Sequence, residues 1–156
     1  LASLQLHGVE LVRVPLMICG AGVVPRRVAT SVSLIDLPST FLEVAQLPTD
    51  SALRGVSLTH WLKGGDGAHP PVFFEKHKGS ALPQKGMVLW PYKVIVKMAY
   101  NEVQIYDLER DPQETVNLDT ILPPNIRGRL TGLLNHWTNE VLVTRAPGRT
   151  QTALVR

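Results

Sequence analysis

The apolar positions of this chain change period along its length, and each period predicts an element. Residues 11–18, LVRVPLMI, are a short β-branched run closed by CGAG, the pattern of a parallel strand buried on both faces. After those glycines, Leu37, Phe41, Leu42, Val44 and Ala45 recur at helical spacing and predict a helix over about 36–46. Asp36 is its expected N-cap, Pro38 fits the first turn and Pro48 stops it. Ser57 is expected to cap a short helical turn through Leu58, Trp61 and Leu62.

The breaker cluster GGDGAHPP, 64–71, divides the chain, and the period then changes to two. VFFEKH, MVLWPYKVIVKM and EVQIYDL read as short strands, with AYNE (99–102) as a hairpin loop. YKVIVKM and EVQIYDL alternate, so each is expected to bury one face. PPNIRGRLTGLLNHWTNEVLV then returns to helical spacing over 15–20 residues, with Ile126, Leu130, Leu133, Leu134, Trp137 and Val141 as a stripe expected to pack on the sheet. The fold class is therefore α/β: residues 1–66 the end of an α/β layer, 67–144 a small antiparallel sheet with one helix across it, and 145–156 a solvated, frayed tail.

Composition narrows the function. In 156 residues, 44% hydrophobic and 19% charged is ordinary globular usage. Lys plus Arg number 16 against 13 Asp plus Glu, and part of the surplus lies in the tail at Arg145, Arg149 and Arg156. Basic residues are not clustered with aromatics, so no nucleic-acid partner is expected. One cysteine, Cys19, leaves no intrachain disulfide and no Cys-rich metal site. No apolar run reaches the length of a membrane span, and no secretory signal is visible. The chain opens on Leu1, which points to a piece of something longer.

Candidate chemistry is sparse. The five histidines, 7, 60, 69, 77 and 136, include no pair at metal-site spacing, and His60 and His136 read as helix-face residues. Glu75 and His77 stand at i, i+2 on a strand, either a general acid/base pair or a solvated edge. Cys19 reads as a small buried filler rather than an activated nucleophile. GAGVVP lacks the third glycine of a dinucleotide loop, and no G-x-S-x-G elbow exists. Asp107, Glu109, Asp111 and Glu114 lack the glycine and terminal glutamate of an EF-hand, so YDLERDPQETVNL (106–118) reads as a structural turn started at Asp111-Pro112.

Four stretches together resemble the C-terminal part of the sulfatase family, in the alkaline-phosphatase-like superfamily. They are R-V-P-L (Arg13 to Leu16), V-S-L-x-D-L-x-x-T (Val32 to Thr40), L-x-G-x-S-L (Leu53 to Leu58) and Y-D-L-x-x-D-P-x-E-x-x-N-L (Tyr106 to Leu118), in the family's order within residues 9–143. The resemblance implies a hydrolase of sulfate esters. In such enzymes a Cys or Ser of a C/S-x-P-x-R motif is oxidised to formylglycine, whose hydrate attacks sulfur while a divalent cation, usually calcium, holds the sulfate. Cys19 is followed by Gly-Ala-Gly and is not that cysteine, no D-H-G or D-N-G ligand motif precedes the R-V-P-L strand, and His7 falls too close to the strand for the family's histidine. No catalytic and no metal-binding residue carries over, and neither cofactor is expected on this chain.

The leading expectation is a C-terminal fragment of a sulfatase-like hydrolase, inactive alone, which completes a central sheet and walls a substrate cleft for a sulfated small molecule or glycan. Glu75, Lys76, His77 and Lys78, in the polar segment 73–86, are the expected cleft residues. The fragment reading also predicts exposed apolar surface. The alternatives are a non-catalytic binding or scaffolding module of the same fold, or part of a phosphodiester or phosphonate monoester hydrolase. Sulfatases are mostly extracytoplasmic or lysosomal; the sequence itself assigns no compartment.

Overall fold

A computed structural model describes residues 14–76 and 83–145, with side chains as far as 140. The expected tail, His7, His77 and Lys78 lie outside the described residues, apart from the backbone of Arg145. The chain forms two compact units, one of residues up to Val72 with Val88–Trp90, the other of Phe73–Met87 with Pro91 onward.

The first unit holds α1 (Asp36–Val44) and a single turn, α2 (Thr59–Leu62). Leu58 and Trp61 are its buried apolar residues, accompanied by buried Asp36, Ser39, Thr40, Thr59 and His69. The expected strand over 11–18 is not found in its described part. Residues 14–18 are irregular, largely exposed, and make no backbone hydrogen bond among the described residues. A strand buried on both faces needs a neighbour at each edge, and the described residues form only one sheet, over 72–107. For the same reason Cys19 is exposed rather than a buried filler.

The helix itself corrects a second expectation. Its N-cap is Ile35, and Asp36 is its first residue, buried rather than capping. The buried side chains are polar and the apolar Phe41 and Val44 face solvent, the reverse of the expected stripe.

Most of a four-stranded antiparallel sheet, in the order β1-β2-β3-β4, belongs to the second unit. It comprises β1 (Val72–Lys76), β2 (Gln84–Leu89), β3 (Tyr92–Lys97) and β4 (Glu102–Asp107), of which Val72 and Val88–Leu89 count with the first unit. The run MVLWPYKVIVKM is two strands rather than one, because the turn at Trp90–Pro91 breaks it and Pro91 has no N–H to give a ladder. Asn101, at φ 50°, closes the next hairpin, and Val94 stands opposite Ile105 in its register. β4 buries one face through Ile105 and Asp107, as alternation requires. β3 buries both: Lys93 and Ile95 on one side, Val94 on the other. It is an inner strand, so alternation in sequence did not mean one wet face.

Helix α3 (Pro124–Arg145) contacts β3 and buries Leu130 and Leu134, while Met87, Val94, Ile95 and Ile105 are the buried apolar residues of the sheet. Trp137 stacks on Phe73 with centroids 4.8 Å apart, and Lys85 Nζ lies 5.3 Å from the Trp137 ring centre, which ties the helix to β1 and β2.

The turn after β4 is held by side chains that take over backbone roles. Asp107 Oδ1 accepts from the N–H groups of Glu109 and Arg110, and Asp111 Oδ2 from that of Val116. Asn117 Oδ1 accepts from Ile105 N–H at 3.0 Å, while Leu118 N–H donates to Ile105 O at 2.7 Å. The outer edge of β4 is thereby partnered at Ile105, one way to close an edge that would otherwise template pairing. Lys93 Nζ donates to both carboxylate oxygens of Glu114 at 2.7 and 2.9 Å, and both side chains are buried. Glu114 reaches it from a left-handed backbone, φ 56°. Burial, then the carboxylates of Glu114, Glu102 and Asp111, push the Tyr106 phenol above its usual range.

Breaking a buried pair strands one charge, which costs about 3–5 kcal/mol. Glu114→Gln is therefore expected to lower the urea midpoint of this unit strongly, and Lys93→Met with Glu114→Gln to recover most of the loss. A single substitution as mild as the double one would show that the pair is not what fastens the turn.

Candidate functional site

Two stretches of the first unit meet through one carboxylate. Asp36 Oδ1 accepts from Val56 N–H at 2.9 Å, and Oδ2 from Ser33 N–H at 2.6 Å. One turn on, Ser39 Oγ donates to Gly55 O at 2.8 Å and Thr40 Oγ1 accepts from Leu58 N–H at 2.9 Å. Glu43 Oε1 accepts from Thr59 Oγ1 at 2.6 Å. Positions 36, 39, 40 and 43 follow i, i+3, i+4, i+7, so they lie along one face of α1. That face is zipped onto segment 55–59, which leads into α2. Gly55 is required by the closeness of the approach: a Cβ there would lie 1.8 Å from Ile35 O.

His69 completes this hub. Its Nδ1 lies 2.8 Å from Pro70 O, which can only accept, so Nδ1 carries the proton. Its Nε2 stands 3.1 Å from Asp36 Oδ2, in ion-contact range but off the line of a hydrogen bond. The imidazole also lies against Trp61, centroids 5.4 Å apart, and Trp61 Nε1 donates to Gly67 O at 3.3 Å.

Beside the hub, within the same unit, is a cleft of about 440 Å³ lined by Arg26, Arg27, Thr30, Trp61, His69 and Trp90 among others. Arg26 is committed: it donates to Gly64 O at 2.7 Å and pairs with Asp66. That guanidinium, by hydrogen bond and charge, holds the Asp66 carboxyl below its usual range. Arg27 is exposed at the cleft. The lining can receive a partly apolar group with negative charge, and it shows no nucleophile–base pair.

Of the expected cleft residues, Glu75 and Lys76 are exposed at the end of β1, pointing to opposite faces by strand alternation, while His77 and Lys78 lie outside the described residues. The hub was missed in the sequence because Asp36 and His69 are distant along the chain. The polar stripe 36, 39, 40, 43 was the available signal. Among the described residues no group of three or more His, Cys, Asp or Glu could hold a metal ion, and no helix is long and apolar enough to cross a membrane.

No family model matches the chain. It is 30% identical over 109 residues to the choline-sulfatase of Rhizobium meliloti (strain 1021), covering 68% of this chain and 21% of that protein. It is 28% identical over 127 residues to arylsulfatase K of Xenopus laevis, covering 73% and 24%, and 29% identical over 125 residues to the Homo sapiens protein of that name, covering 70% and 23%. Its fold is similar to that of a protein solved in complex with its substrate D-glucosamine-2-N,6-O-disulfate (TM-score 0.58, 21% identity, 72% of this chain and 24% of that one). It is similar also to a 2-O GAG sulfatase (TM-score 0.53, 22% identity, 75% and 26%). The chain is thus a sulfatase-like C-terminal part, and it spans between a fifth and a quarter of the length of the curated relatives named here.

Two outcomes follow for the hub. Asp36→Asn replaces one of two accepting oxygens by a donor that faces a backbone N–H, and is expected to cost about 2–3 kcal/mol in urea unfolding. Wild-type stability would contradict the hub. Glu43 is held below the usual carboxyl range by hydrogen bonds from Ser57 first, then Thr59. A lowered folded pKa means its contribution is complete above the unfolded value and fades as pH falls through the folded one. The protection of the Thr59 amide, taken relative to its intrinsic exchange rate, should therefore fall on acidification in wild type, and Glu43→Gln should remove that acid limb.

Proposed function

We propose that this chain serves as the C-terminal part of a hydrolase of sulfate esters. The observation that carries the reading is that two of the four sulfatase-like stretches, 32–40 and 53–58, form one interlocked unit in which Asp36, Thr40 and Gly55 each have a specific job. The same relatives support the reading from outside.

The substrate class we propose is a sulfated small molecule or glycan, in keeping with the sulfated glucosamine bound by a structural neighbour. Calcium or another divalent cation would polarise the sulfate group, and formylglycine would supply the nucleophile. The described residues fit neither group, since they hold no ligand cluster and Cys19 lacks the C-x-P-x-R context. This chain's own part in the reaction is to shape and support. The hub fixes α1 on its loop, and the segment of Glu75, Lys76, His77 and Lys78 would meet the substrate, where lysine and histidine would draw in an anionic ester. The domain division 1–66, 67–144 and 145–156 is proposed to follow the same split between core layer and small sheet.

Aryl sulfate hydrolysis by the purified native gene product, with calcium present, tests this. Activity is expected, with Lys76→Ala and Lys78→Ala raising KM more than they lower kcat. A folded native product that cleaves phosphodiesters and no sulfate ester would overturn it.

A further inference from the structure

We propose that the cleft beside the hub is a binding site for an aromatic monoanion, a flat ring system bearing one terminal oxyanion; this stands apart from the ester hydrolysis proposed above. The cleft holds about 440 Å³, and all its lining residues belong to the first unit. Small-molecule clefts run to about 300–1,000 Å³, so this one suits a compact ligand.

Its charge is decided by two adjacent arginines with different fates. Arg26 pairs with Asp66, the only acid among the described lining residues, and also donates to Gly64 O. Arg27 is exposed, and among the described residues its guanidinium has no ion pair and no hydrogen bond. One positive charge is thus left over at the cleft. The N–H groups of Arg27, Val28 and Ala29 have no backbone partner among the described residues either. A guanidinium fork beside open N–H groups is suited to a carboxylate, sulfonate or similar oxyanion.

The acceptors nearby are largely taken. Asp66 O stands 2.8 Å from His60 Nε2, and Gly67 O accepts from Trp61 Nε1 at 3.3 Å. His69 has its two ring nitrogens against Pro70 O and Asp36. A polyhydroxylated ligand needs acceptors as well as donors, whereas an arene needs only apolar contact. Trp61, buried, and Trp90, 39% exposed, offer that contact together with Val28. Indole rings favour flat partners through stacked and edge-on arrangements.

Calorimetric titration of the native gene product with naphthalenesulfonate tests the site. The C–S bond of that probe is no ester, so binding is read without turnover. The arene is expected to bind at least about tenfold more tightly than inorganic sulfate or the sugar sulfonate 6-deoxy-6-sulfoglucose. Arg27→Gln is expected to weaken it about tenfold or more, as loss of a charge-assisted hydrogen bond does. The urea midpoint should stay at the wild-type value, because the Arg27 side chain holds nothing in the fold. Trp90→Ala is expected to weaken binding about fivefold. Arg54→Gln removes the same charge from an exposed position of the same unit outside the cleft, and is expected to leave binding unchanged.

A native product that binds no naphthalenesulfonate would overturn the proposal, as would binding that Arg27→Gln and Trp90→Ala leave intact. An equal loss with Arg54→Gln, or tighter binding of the sugar sulfonate, would overturn it likewise. Arg27-dependent binding in a product without sulfate ester hydrolysis would uphold this site and remove only the proposed function.

Discussion

The carboxylate of Asp36 is the constraint on which the first unit depends. It accepts from the chain on both sides, at Ser33 and Val56, and meets His69 from a third direction. A buried carboxylate is tolerated only where hydrogen bonds replace the water it has lost, and here those donors are backbone N–H groups of irregular segments that would otherwise be unpaired. One side chain therefore satisfies the helix entry and the loop together, with His69 in contact beside it. The consequence runs outward: with its polar face committed to the loop, α1 must turn Phe41 and Val44 to the other side.

The second unit uses the same device at a strand edge. Asn117 takes the place of a neighbouring strand for Ile105, and Glu114 crosses under the turn to Lys93. The motif from Tyr106 to Leu118 is thus a structural closure with an internal ion pair. Asp107 and Asp111 accept from backbone N–H groups, and Glu114 pairs with one buried lysine. Asp111 illustrates this: the N–H of Val116 first, then Thr115, hold its carboxyl below the usual range.

Much of this was legible in the chain. The change of period at 64–71, the hairpin at 99–102 and the α3 stripe at Leu130 and Leu134 follow from local rules, because each element's burial is decided by neighbours in its own unit. The resemblance to sulfatases was legible in the order of four short stretches. What misled was any element whose partner is not local. Residues 14–18 have a buried strand's composition and, among the described residues, no strand beside them, and Cys19 follows them into solvent. On α1 the apolar period was real, but its direction depended on hydrogen bonds from 55–59, which no periodicity records. YKVIVKM was expected to bury one face only, yet Lys93 and Val94, on opposite faces, are both buried, and Glu114 meets Lys93 from 21 residues away.

The central proposal is that these two units are part of a sulfate ester hydrolase whose reactive groups lie elsewhere in a longer chain. Intact mass and peptide mapping of the native gene product test it most directly. The account predicts a product several times longer than 156 residues that contains a Cys-x-Pro-x-Arg or Ser-x-Pro-x-Arg peptide carrying formylglycine. A native product that begins at Leu1, with no such peptide, would contradict it.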